Sequence, residues 1–173
     1  MTQYARPDSD VSDGNWYNSA GNQTNLYSYV DETSASDSDY IYADDNFGST
    51  ETCILGLGSV TDPSSATLHK FTVRAKENSG FGGVDFIVTL QQGGSDIATS
   101  STHAPSSSFA NFTTTLSASQ ANSITDYGAL RLKIEATDNF GTGARTSVSH
   151  AYFECPDASV AAVSNPAFLL FLD

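Results

Sequence analysis

The chain has 173 residues, enough for one domain with a sizeable core and too few for two comfortable ones. It carries 20 acidic against 7 basic residues, a net charge of −13, and no basic cluster in the sequence that would neutralise phosphates. This argues against direct nucleic-acid binding and against an anionic membrane surface. Hydrophobic residues make up 39% and charged ones only 16%, so the polar surface falls to Ser, Thr, Asn, Gln and Gly, which suits an all-β chain of short strands and turns.

The acid excess is uneven. Residues 1 to 51 hold ten acids (Asp8, Asp10, Asp13, Asp31, Glu32, Asp37, Asp39, Asp44, Asp45 and Glu51) against Arg6, giving −9 there and leaving −4 for the remainder. Solubility is the simplest role for them. The opening MTQYARPDSD lacks the apolar stretch of a signal peptide, and the apolar run near the C-terminus is far shorter than the ~20 residues that span a bilayer. Synthesis in a cytoplasm is the expectation.

Taken in order, residues 1–25 are rich in turn formers, interrupted by Tyr4, Val11, Trp16 and Tyr17, and read as an extended N-terminal arm with a few anchors. Leu26, Ser28 and Val30 alternate with Tyr27, Tyr29 and Asp31, the pattern of a half-buried strand, and DYIYA (39–43) predicts a second. TCILGLGSV (52–60) begins the main core. TLHKFTVRAKE sets His69, Phe71, Val73 and Ala75 against Lys70, Thr72, Arg74 and Lys76, a strand with one wet side. Val84, Phe86, Val88 and Leu90 share a face of the next strand, SDIATSS follows, and Ala110, Phe112, Thr114 and Leu116 alternate in another.

Ser117 with Gln120 three residues on is a capping box and predicts a short helix. ALRLKIEAT points Leu130, Leu132 and Ile134 inward, with Arg131, Lys133 and Glu135 outward. In RTSVSHAYFEC, strict alternation puts Val148, His150 and Tyr152 on one face and Ala151, Phe153 and Cys155 on the other, and Pro156 closes the strand. The expected fold is a β-sandwich of the jelly-roll or immunoglobulin-like kind over residues 26–158, followed by an apolar C-terminal tail at 159–173.

Candidate chemistry is sparse. His69 and His150 sit in strand patterns, His103 lies in a loop, and none has metal-ligand spacing. Cys53 and Cys155 read as buried free thiols. DSDVSDG (8–14) has acids at two calcium-loop positions but Asp13 where such a loop needs glycine. No catalytic residue, metal or cofactor is expected. The dense aromatics Trp16, Tyr17, Tyr27, Tyr29, Tyr40 and Tyr42 admit packing, an interface, or stacking on sugars.

The run RPDSDVSDGNWYNSAGNQTNLYSYVDETSASDSDYI (6–41) resembles a recurrent opening of tailed-phage virion proteins, and FTVRAKENSGFGGVDFIVTLQQGG, TLSASQANSITDYGALRLKIEAT and SHAYFECPDA look like the same family. In that pattern His150 stands where an aromatic is expected and Cys155 where an aliphatic is usual. The resemblance implies a jelly-roll capsid decoration, or cement, protein: non-enzymatic, on the outer surface of the virion, bridging copies of the major capsid protein and assembling as a homotrimer. Candidate interface residues are Tyr4, Arg6 and Trp16, together with Phe168, Leu169, Leu170, Phe171 and Leu172, whose side chains need partners on both faces. A carbohydrate-binding or tail-fibre adhesion module is the competing expectation.

Overall fold

The computed structural model describes residues 1–44, 48–78, 83–139 and 143–158. The strands are β1 (Thr2–Ala5), β2 (Pro7–Ser12), β3 (Trp16–Asn18), β4 (Ile41–Ala43), β5 (Thr50–Leu57), β6 (Lys70–Glu77), β7 (Val84–Gln92), β8 (Ser95–Thr99), β9 (Ala110–Thr115), β10 (Leu130–Asp138) and β11 (Thr146–Pro156). One helix, α1 (Ala118–Asn122), has the expected capping box: Ser117 Oγ accepts from the Gln120 N–H at 3.3 Å, and Gln120 Oε1 accepts from the Ser117 N–H at 2.9 Å.

Two antiparallel sheets face each other. Sheet A runs β3-β4-β11-β6-β9 and sheet B runs β2-β5-β10-β7-β8. Counting the eight strands from β4 to β11, sheet A reads 1-8-3-6 and sheet B 2-7-4-5. This interleaving is that of a jelly roll. The inward residues of β6, β7 and β10 are those that alternation predicts: Phe71, Val73 and Ala75; Phe86, Val88 and Leu90; Leu130, Leu132 and Ile134 are all buried.

The first 25 residues differ from the expectation of an extended arm. β1 pairs with β11, β2 with β5 and β3 with β4, so this segment adds strands to both sheets. Its turn formers serve the crossings: Gly14 and Asn15 both have positive φ in the turn that carries the chain from β2 to β3.

The alternating stretch after Asn25 is also not a strand. Leu26–Tyr29 forms a 3₁₀ turn because the Asp10 carboxylate accepts from the Leu26 and Tyr27 N–H groups at 2.9 and 2.8 Å, satisfying its first donors. This contact gives Asp10 a structural role, while Asp13 accepts from the Gly14 N–H and Asp8 from the Ser9 hydroxyl.

Strict alternation does not hold along β11. Its register against β6 slips between Val148 and His150, leaving Ser149 as the extra residue of a bulge. Parity therefore changes: Val148 faces the core with Ala151, Phe153 and Cys155, whereas His150, Tyr152 and Glu154 face out beside Arg74, Thr72 and Lys70.

Cys53 on sheet B and Cys155 on sheet A are buried free thiols, and burial pushes the Cys155 thiol up to about 11. His69 is fully buried; its Nδ1–H donates to the Thr67 carbonyl at 2.9 Å, and Nε2 is hydrogen-bonded to the Tyr127 hydroxyl at 2.7 Å. Both ring nitrogens are thereby satisfied within the core.

Candidate functional site

The outer side of sheet A gathers aromatic rings and most of the basic residues of the chain. Alternation along β3 buries Trp16 and Asn18 and turns Tyr17 out; along β4 it buries Ile41 and Ala43 and turns Tyr42 out, with Tyr40 ahead of it. Register sets Tyr17 opposite Tyr42, Tyr42 opposite Ser147, and Ser147 opposite Lys76. Phe109 precedes the Ala110↔Ala75 pair and so lies beside Lys76. One row thus follows the path β3-β4-β11-β6-β9 across the sheet, roughly 19 Å at the usual strand spacing of about 4.8 Å.

The rings along this row touch in sequence. Tyr17 and Tyr42 stack with centroids 5.7 Å apart and planes 20° apart. Tyr40 lies 6.3 Å from Tyr42 and 6.4 Å from Phe109. Lys76 Nζ sits 4.7 Å from the Phe109 centroid and 5.9 Å from that of Tyr40, and the Arg145 guanidinium is 5.2 Å over Tyr42. All four rings are half-buried. Among the described residues none supplies a hydrogen bond to the phenolic oxygens of Tyr17, Tyr40 or Tyr42, so these polar tips are left for solvent or a ligand.

Charge follows the rings. Five of the seven basic residues (Arg6, Lys70, Arg74, Lys76 and Arg145) lie on this side, so most of the few cations of a strongly acidic chain are gathered among the rings. Part of that charge is compensated: Lys70 pairs with Glu154 at 2.8 Å, Arg74 with Asp37 at 2.7 Å, and Arg145 approaches Asp44 at 4.0 Å. The Arg74 hydrogen bonds hold the Asp37 carboxyl below the usual carboxylate range.

A strap, residues 30–39, divides the face. Ala151 N–H donates to the Val30 carbonyl at 3.0 Å, and the Glu32 carbonyl accepts from Arg6 Nε at 3.1 Å and from His150 Nε2–H at 2.8 Å. Asp37 accepts from Arg74 and from the Ser149 hydroxyl at 2.8 Å, so the bulge residue is one of the strap's fastenings. Burial beneath the strap moves His150 below its ordinary value and Glu32 above its own. Beyond the strap lies a second cluster, where Tyr4 meets Tyr152 edge-on at 5.7 Å and Arg6 lies 5.2 Å over Tyr4.

Of the interface candidates read from the sequence, Tyr4 is 46% exposed and Arg6 half-buried in that second cluster. Trp16 does not belong with them. Its relative exposure is 0%, and its indole N–H donates to the Glu51 carbonyl at 3.2 Å, so it is a core residue that presents no ring to a partner. Phe168, Leu169, Leu170, Phe171 and Leu172 lie outside the described residues, as do Asp45 and the whole tail from 159. Of the six aromatics that the sequence singles out, Tyr17, Tyr40 and Tyr42 line the row, Trp16 is in the core, and Tyr27 and Tyr29 lie in the 3₁₀ turn packed against the core; Phe109, Lys76 and Arg145 are not among the six. Lys76 lies on β6, and Phe109 and Arg145 immediately precede β9 and β11; their signal is outward parity, legible once the strand order is known.

No family model and no curated protein matches the chain. Among solved structures, it is similar to the CBM36-1 domain of a multidomain xylanase from the hindgut metagenome of Trinervitermes trinervoides, at 14% identity and a TM-score of 0.41, covering 92% of this chain and 100% of that one. It is also similar to the xylan-binding module CBM15, at 8% identity and a TM-score of 0.43, covering 92% and 99%. A cyclase from Fischerella sp. TAU is similar at 14% identity and a TM-score of 0.38, covering 90% and 91%.

Proposed function

We propose that the protein is a non-catalytic carbohydrate-binding domain that lays a glycan chain along the Phe109–Tyr40–Tyr42–Tyr17 row. This reading rests on the continuous line of four rings, three of them tyrosines whose phenolic oxygens have no partner among the described residues. Apolar sugar faces pack on rings, and sugar hydroxyls need donors and acceptors of the kind that Tyr tips, Lys76 and Arg145 offer. The row's length suits several consecutive sugar units. Retention of the folded protein in native gels containing soluble polysaccharides tests this, with Tyr42→Ala and Phe109→Ala expected to abolish the retardation.

A second reading is favoured by the Tyr4–Arg6–Tyr152 cluster together with the resemblance over residues 6–158. Here the protein decorates a virion capsid, with the exposed Tyr4 ring and the Arg6 guanidinium docking on the major capsid protein. Co-sedimentation with purified phage heads tests that reading. Loss of binding in Tyr4→Ala and Arg6→Ala supports it, and unchanged decoration removes these two residues from the interface.

A further inference from the structure

β9 is an outer edge of sheet A. It pairs with β6 in unbroken register from Thr115↔Lys70 to Ala110↔Ala75, and the Leu116 N–H donates to the His69 carbonyl at 2.9 Å. Alternation along an antiparallel ladder then turns the backbone groups of Thr114, Phe112 and Ala110 toward β6 and those of Thr115, Thr113 and Asn111 outward. Among the described residues nothing pairs with these outward groups.

The other edges are guarded in ways that discourage strand addition. β2 carries Pro7, Asp8 and Asp10 and two register shifts. β8 carries Asp96, with an irregularity in its pairing to β7. β3 has three residues, and β1 has four and is tied through the Gln3 amide to both backbone groups of Thr61. By contrast β9 has six residues, no proline, no charge and no bulge. It also lies inside residues 97–125, a stretch without Asp, Glu, Lys or Arg. Two copies of a chain with a net charge of −13 repel each other over most of their surfaces, and this edge is where they approach at least Coulomb cost.

We propose that β9 is a self-association edge, at which two copies pair their β9 strands antiparallel about a two-fold axis at Thr113. Thr113 then faces Thr113 of the second copy and Asn111 faces its Thr115, so the outward groups exchange about six backbone hydrogen bonds. The strand pair buries less than a standard interface, so the dimer forms in the micromolar range or weaker. A two-fold axis perpendicular to the sheet keeps both outer faces on the same side. The pair therefore presents two aromatic rows to one surface, which multiplies weak single-site binding to any repetitive ligand.

Cysteine cross-linking reads the register directly. Facing residues of a hydrogen-bonded antiparallel pair have Cα atoms about 5.5 Å apart, within disulfide reach, and both native thiols are buried. Under mild oxidation Thr113→Cys should give a reducible species of twice the chain mass. Asn111→Cys alone should not, while a mixture of Asn111→Cys and Thr115→Cys should. Cross-linking of Thr113→Cys no faster than Asn111→Cys alone overturns the register. Independently of these variants, light scattering of the unaltered chain from about 5 to about 500 µM should show mass rising toward that of a dimer, with Thr113→Lys remaining monomeric. A constant monomer mass, or a trimer, overturns the proposal.

Discussion

Trp16 is the residue whose replacement separates a core role from a binding role most cleanly. Its side chain is fully buried in the common core, and its indole N–H is bonded to the Glu51 carbonyl. Removing about 250 Å² of buried surface at about 25 cal/mol per Å² gives an upper value of roughly 6 kcal/mol, and partial collapse of the cavity brings the expected cost of Trp16→Ala to about 3–5 kcal/mol. Trp16→Phe keeps most of the volume and removes the indole hydrogen bond to the Glu51 carbonyl, for about 1–3 kcal/mol. In urea unfolding, with a slope of about 2 kcal/mol per M, the midpoints should fall by about 1.5–2.5 M and about 0.5–1.5 M. Folded Trp16→Phe should bind any glycan ligand as the unaltered chain does. An unchanged midpoint for Trp16→Ala, or loss of binding in folded Trp16→Phe, refutes the placement of this ring in the core.

Three further outcomes follow from the same contacts. Gly14 sits at φ +49°, and a Cβ there would overlap the Thr52 carbonyl oxygen, so Gly14→Ala should lower the thermal midpoint by an amount matching about 2 kcal/mol or more. Burial holds His150 and His103 below their ordinary value, so unfolding takes up protons and the associated stability is present above about pH 6.5 and lost as pH falls through the lower folded values. The thermal midpoint should therefore drop between about pH 7.5 and about pH 5.5, and drop less in His150→Gln; an equal drop in both places the titration elsewhere. Arg74→Gln removes a partly exposed pair with Asp37, so its stability cost should stay within about 1 kcal/mol. Release of the strap it fastens should show as faster amide exchange at residues 30–39, and unchanged exchange there would contradict that role.

The jelly roll was legible where one face is wet and the other dry. β6, β7 and β10 carry uninterrupted period-2 patterns because each lies inside a sheet with one solvated side. Legibility failed where a long-range contact outweighs local pattern. Leu26–Tyr29 alternates like a strand, but the Asp10 carboxylate, from another strand, caps its amides into a turn. The single extra residue at Ser149 reverses the faces of half of β11, and nothing in VSHAY marks it. The N-terminal segment reads as an arm because β1, β2 and β3 are short and polar, their pairing supplied by strands far along the chain. The aromatic row was half visible for the same reason: Tyr17, Tyr40 and Tyr42 belong to the aromatic-rich N-terminal third, whereas Phe109, Lys76 and Arg145 reach them only through the strand order of sheet A.

The most direct test of glycan binding is a side-by-side measurement of the unaltered chain, Tyr42→Ala, Phe109→Ala and Tyr4→Ala on an array of purified poly- and oligosaccharides, each variant first shown to be folded. Binding to at least one glycan class is expected, lost in Tyr42→Ala and Phe109→Ala and kept in Tyr4→Ala, whose ring lies beyond the strap. Absence of binding by the folded unaltered chain, or binding indifferent to Tyr42 and Phe109, would contradict it.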